Sequence, residues 1–244
     1  MQIRKVKFTD KNKVLNFGRI SFNLGGFFLP SALTISLIFF IFAILSSIYI
    51  HKPSIYKDKW NFTLLITSAL MIISSLKGYL MQPSISIGLD KTEIFINLFN
   101  WIPLFLLFAT IKIYLKNNDD RKRFLKFLLT GSVPVIISCF LQKWFNFYGP
   151  FETFQGLIVW FNKQLYEGDG ISGLFSNQNY TGFWLSTIFP LSLGIYFSQK
   201  RTLLKNSLIL TFIVVTFYLT LLTYSRNAVL GLFSSLFLIL GIKI

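Results

Sequence analysis

The chain has 244 residues, of which 53% are hydrophobic, 14% are charged and 29 are phenylalanine. A soluble domain carries roughly a quarter charged residues and a disordered chain is poor in aromatics, so both classes are excluded. The 24 basic and 9 acidic side chains leave a formal charge of +15, an excess that membrane proteins gather in cytoplasmic loops and that here argues topology rather than nucleic acid.

A bilayer core of about 30 Å needs about 20 mostly apolar residues per helix. In chain order the windows that satisfy this are Leu29–Ile50, Phe62–Met81, Glu93–Leu115, Phe124–Lys143, Tyr180–Ser198, Asn206–Tyr224 and the shorter Asn227–Gly241. Trp60 and Trp144 stand at span ends, where amphipathic rings favour the headgroup layer. Residues 1–28 lack the apolar core and cleavage site of a signal peptide, so this basic N-terminus is expected to be retained and cytoplasmic.

Loop charges alternate along the chain. Lys52, Lys57 and Lys59, then Lys116, Arg121, Lys122, Arg123 and Lys126, then Lys200, Arg201 and Lys205 mark three inside segments. Segments 82–92 and 144–179 and the turn at Arg226 are poorer in cations and are expected outside. The six basic residues of 1–28 conflict with a single crossing before Lys52. A hairpin resolves this, with Val14–Leu29 as a short, interfacial first arm and Gly25, Gly26 and Pro30 as its turn. The expected architecture is all-α: a polytopic bundle of seven or eight membrane segments, forming one domain over 29–244, with 144–179 as its longer outer loop.

One cysteine, Cys139, excludes a disulfide framework, and one histidine, His51, excludes a His-rich metal site. No metal and no cofactor is expected. Only Glu93 places a carboxylate within a predicted span, which disfavours proton-coupled transport. No Gly-rich Lys-Ser/Thr loop is present to bind ATP phosphates. Glu167-Gly168-Asp169 reads as a turn, and Glu152, Glu167 and Asp169 as a polar rim. Lys77, Lys112 and Lys143 lie where their stems can snorkel to the interface.

Arg226 differs, because it sits in the polar break Thr223-Tyr224-Ser225-Arg226-Asn227 with no acidic residue after it. Its guanidinium fork suits a lipid-linked phosphate or pyrophosphate; anchoring to lipid headgroups fits equally well. The outer loop interleaves aromatics with amides and glycines, in Trp144–Glu152, Gly156–Asn162 and Gly173–Tyr180. Flat rings such as Trp160 and Tyr180 can stack on sugar C–H faces, and amides such as Asn177 and Asn179 match hydroxyls. An aromatic belt lying on the membrane accounts for the same composition. Leu157–Phe161 is apolar enough to dip into the interface.

Two stretches carry a resemblance. Gly173-Leu174-Phe175-Ser176-Asn177-Gln178-Asn179-Tyr180-Thr181-Gly182, at the start of a span, resembles the Gly-Leu-Phe-x-Asn-x-Asn-Tyr-x-Gly stretch of the O-antigen ligase and Wzy-polymerase-like membrane glycosyltransferases. Thr223-Tyr224-Ser225-Arg226-Asn227-Ala228 resembles that family's Thr-x-Ser-Arg-Gly-Ala element. Leu29–Ala32 and Asn146–Glu152 also resemble one branch of the family. The resemblance implies metal-independent transfer of glycan from an undecaprenyl-pyrophosphate donor to a sugar hydroxyl, on the periplasmic face of a bacterial inner membrane. It implies that Arg226 engages the donor pyrophosphate and makes Ser225, Asn177, Asn179, Tyr180 and Trp160 the candidate substrate-binding residues. Catalytic residues stay unassigned, since family members carry a later loop with a His and a further Arg, and His51 is expected in an inside segment. The expected partners are therefore the lipid-linked glycan, the bilayer and a second polypeptide supplying further spans. The alternative expectation is a non-catalytic membrane component that binds lipid-linked polysaccharide intermediates.

Overall fold

The computed structural model describes residues 2–55, 58–81, 93–198 and 202–243. These form helices α1 (Gln2–Phe28), α2 (Leu33–Ile55), α3 (Lys59–Met81), α4 (Glu93–Thr110), α5 (Asn118–Gly131), α6 (Val133–Phe145), α7 (Gln178–Phe197), α8 (Leu203–Leu222) and α9 (Arg226–Lys243). A two-stranded hairpin, β1 (Phe151–Thr153) and β2 (Ile158–Trp160), lies between α6 and α7. The fold is mostly helical, as the composition requires. The expected outer segment 82–92, and Lys57, Lys200 and Arg201 of the inner segments, lie outside the described residues.

Among the described residues four helices are long and apolar enough to cross a membrane: Leu33–Ile50, Lys59–Leu80, Asn118–Phe145 taken across its break, and Leu203–Leu222. This corrects the expected seven or eight segments, and the reasons are local. The window Glu93–Leu115 is cut where α4 ends at Thr110 and a single 3-10 turn, Ile111–Ile113, follows. The apolar part of α9, Arg226–Ile239, is also short. The window Tyr180–Ser198 folds as α7 at nearly full length but opens on Gln178 and Asn179 and carries Pro190. Its Thr181, Gly182, Leu185, Ile188, Phe189, Ser192 and Ile195 are buried by protein. A helix so enclosed does not need a uniformly apolar surface.

The chain divides into two compact units. The first takes in residues 1–22 and 38–121. Its centre is Tyr114, whose ring stacks on Phe22 at 5.4 Å and whose hydroxyl donates to the Ala43 carbonyl at 2.7 Å. Arg19 pairs with Asp120 at 3.7 Å, and Lys112 reaches Asp58 at 3.5 Å. α1 is one continuous helix; the break expected around Gly25, Gly26 and Pro30 falls at Leu29–Ser31.

The second unit takes in 23–37 and 122–244. α7 packs on both α8 and α9, and α6 on α8. Its apolar core includes Val135, Cys139, Leu185, Ile188 and Leu219. Small polar residues are buried with them, among them Ser132, Ser192, Thr216 and Thr220. Such residues let helix backbones approach closely where lipid, not water, surrounds the bundle. Their hydroxyls are satisfied within their own helices, as in Thr216 to the Phe212 carbonyl and Thr220 to the Thr216 carbonyl, both 2.7 Å. Large apolar side chains such as Leu203, Leu204, Val214 and Phe237 point outward and are exposed. Burying small polar groups while displaying leucines reverses the soluble pattern.

Between α5 and α6 the helical ladder breaks at Ser132. Pro134 supplies no amide there, and the Ser132 hydroxyl accepts from Trp184 Nε1 of α7 at 3.1 Å.

Candidate functional site

The two motif stretches, separated by some forty residues, meet at one end of the second unit. α7 and α9 run side by side in the same direction. Gly182, one turn into α7, faces Ser225 and Ala228 at the start of α9, and Ser186 faces Gly231 further along. A Cβ at Gly182 would lie 2.7 Å from the Ala228 Cβ and 2.9 Å from those of Ser225 and the Thr223 hydroxyl. Only glycine permits this approach, and it sets the N-termini of both helices at one level.

The loop before α7 is stitched to the same place. Ile171 N–H donates to the Leu222 carbonyl at 3.1 Å, and Gly170 packs against the Thr223 carbonyl with no room for a side chain. Gln178 Oε1 accepts from the Gly170 N–H at 2.7 Å, and the Thr181 hydroxyl donates to the Ser172 carbonyl. From the other side, Gln142 of α6 is fully buried and uses its whole amide on this loop. Its Nε2 donates to the Lys163 carbonyl (2.7 Å) and Ser172 Oγ (2.9 Å). Its Oε1 accepts from the N–H groups of Ser172 (2.9 Å) and Gly173 (2.8 Å).

What this framework holds open is a polar cleft of about 200 Å³, lined by Lys163, Asp169, Ser172, Ser176, Asn177 and Asn179 with neighbouring backbone. Asn177 caps α7, its Oδ1 accepting from the Asn179 N–H at 2.8 Å. Glu167-Gly168-Asp169 forms the expected turn, closed by Asp169 N–H to the Tyr166 carbonyl at 3.0 Å. Hydroxyls, amides, one cation and one carboxylate lining the same cleft form a surface that binds other polar groups by hydrogen bonds.

The candidate residues therefore separate. Asn177 and Asn179 line the cleft. Ser225 is buried in the α7–α9 contact, its N–H donating to Thr223 Oγ1 at 3.3 Å, so it builds the site rather than facing a ligand. Arg226 opens α9 and is exposed; among the described residues it makes no ion pair with Asp or Glu. Tyr180 is exposed on the first turn of α7. Trp160 is half-buried against the apolar core, and its Nε1 donates to the Ser31 carbonyl at 2.8 Å. It ties the hairpin to the α1–α2 turn and is not among the cleft's lining residues. The short element expected over Leu157–Phe161 forms as strand β2, paired with β1 from Phe151↔Trp160 to Thr153↔Ile158. Backbone bonds from Phe161 N–H to Leu174 and from Asn162 N–H to Gly173 continue it into the motif loop.

Sequence reasoning missed Gln142, Lys163, Ser172 and Gln178 as parts of this site. Gln142 left a signal: it is a lone amide in an otherwise apolar window, where a polar side chain needs a protein partner.

Two helix N-termini and Arg226 bring positive charge to this end, while in the cleft Lys163 stands with the Asp169 carboxylate. Among the described residues no three His, Cys, Asp or Glu side chains come together as a metal ion would require. No family model, no curated protein and no solved structure matches the chain.

Proposed function

We propose that the chain is an O-antigen ligase-like glycosyltransferase component of a bacterial inner membrane, handling glycans linked to undecaprenyl pyrophosphate. One observation carries the reading: Gly173–Gly182 and Thr223–Ala228, the stretches that resemble that family, are packed into a single polar end. Arg226 receives the donor pyrophosphate, with the α9 N-terminus beside it, and the cleft of Lys163, Asn177 and Asn179 hydrogen-bonds sugar hydroxyls. In the transfer the acceptor hydroxyl oxygen bonds the anomeric carbon as the carbon–oxygen bond to pyrophosphate breaks, the electron pair leaving with the pyrophosphate and the hydroxyl proton passing to water. Negative charge grows on the departing pyrophosphate, and the Arg226 guanidinium stabilises it.

The test separates binding from turnover. The purified chain in proteoliposomes is titrated with an undecaprenyl-pyrophosphate glycan, and release of undecaprenyl pyrophosphate onto a sugar acceptor is followed, with and without co-expressed partner polypeptides. Charge-assisted hydrogen bonds contribute about 1.5–3 kcal/mol, so Arg226→Ala is expected to weaken donor binding about 10- to 100-fold, and Arg226→Lys to restore part of it. Binding without turnover under every condition assigns the non-catalytic role. Unchanged binding in Arg226→Ala overturns the pyrophosphate role.

A further inference from the structure

The second unit carries a larger cavity at its other end, and nothing in the glycan reading uses it. It is a groove of about 970 Å³ walled by the end of α5, the start of α6, the end of α7 and the first turns of α8. Small-molecule sites run from roughly 300 to 1,000 Å³, so this one is large enough for a sizeable ligand. Its floor is apolar, built from Leu129, Ile195, Ile209 and Phe212. At its edge stand two exposed cations, Lys126 and Lys205, and among the described residues no carboxylate lines it. Asp119 and Asp120, the acids of α5, stand in that helix's first turn.

Apolar walls with cations at the mouth specify an amphiphile that is anionic at one end. The surroundings narrow the class. Lys126 and Lys205 belong to two of the segments that the charge rule assigns to the cytoplasmic side, together with Lys122, Arg123, Lys200 and Arg201. That leaflet presents anionic phospholipids, and basic pockets between membrane helices on that face bind their headgroups. Leu208 and Val133 beside the mouth are exposed, so the groove opens sideways, as a chain sliding in from the bilayer needs. We infer that this groove binds one anionic glycerophospholipid, its phosphate held between Lys126 and Lys205 and an acyl chain on Leu129, Ile209 and Phe212.

The experiment uses the full chain in detergent and native mass spectrometry with two lipids of identical acyl chains, phosphatidylglycerol and phosphatidylcholine. Each interfacial lysine contributes about fivefold, so phosphatidylglycerol is expected to bind at least about tenfold more tightly. Lys126→Gln/Lys205→Gln should bring the two lipids to parity. Lys143→Gln, in the last turn of α6, should leave the preference intact. Ile209→Trp, which fills the floor, should weaken both lipids, with helicity by circular dichroism confirming that the bundle survives. Equal binding of the two lipids by the unmodified chain overturns the proposal. So does a preference that persists in the double variant, is lost equally in Lys143→Gln, or ignores Ile209→Trp. None of these outcomes bears on Arg226, so failure here leaves the glycan reading standing, and the reverse holds.

Discussion

At the scale of single residues, Gln142 and Arg226 answer different needs. Gln142 is 0% exposed and satisfies four hydrogen-bonding groups of the loop. Gln142→Met keeps the volume and removes every partner, leaving two buried N–H groups and a carbonyl unmatched at about 1–3 kcal/mol each. The expected result is a loss of several degrees in melting temperature in detergent, with new protease cleavage between residues 163 and 173. An unchanged melting curve would show that the loop does not depend on α6. Arg226 was legible in the sequence because a cation at a polar break between apolar runs stands out without any neighbour being known. Asn177 and Asn179 stood out beside glycines for the same reason. For Trp160 composition shows a ring but not what its Nε1 is bonded to. Its partner Ser31 lies 129 positions away, beyond the reach of any local pattern.

At the scale of elements, the α7–α9 contact is decided by a missing side chain. Adding a methyl group at Gly182 overpacks three neighbours at once, and overpacking costs typically 1–3 kcal/mol. Gly182→Ala should therefore lower thermal stability, and with it any binding that requires both helix N-termini at one level. Gly194→Ala on the same helix provides the comparison, since nothing lies within 4 Å of the added carbon; there the gain in helix propensity of about 0.5–1 kcal/mol should appear as a neutral or stabilising change. Equal effects at the two glycines would remove the packing argument. Helix existence was largely legible here, because long apolar runs admit little else. Their number was not: hydropathy reports how apolar a window is, whereas α7 is enclosed by packing on α8 and α9. The break at Ser132 was also hidden, since Pro134 stands inside a run that otherwise reads as one span.

At the scale of the whole molecule, the question is which end faces which compartment. The charge rule puts Arg123 inside and Glu152 outside. Cys139 is buried and is the only cysteine, so a Cys139→Ala background is free of competing thiols. In intact cells a membrane-impermeant maleimide should label Glu152→Cys, and Arg123→Cys only after permeabilisation. The opposite pattern would invert the topology and place Arg226 away from any periplasmic substrate.

The double clamp on the loop at 163–173 also sets an order of events during synthesis. One clamp, Gln142, is made before the loop emerges; the other, at Leu222 and Thr223, follows about fifty residues after Ile171. At roughly 5–20 residues per second, the ribosome leaves the loop held on one side for several seconds. The cleft is thus completed only when α8 is in place. A defect at the α8–α9 turn should then appear first as cleavage of this loop in newly made chains, while α6 and α7 are already helical.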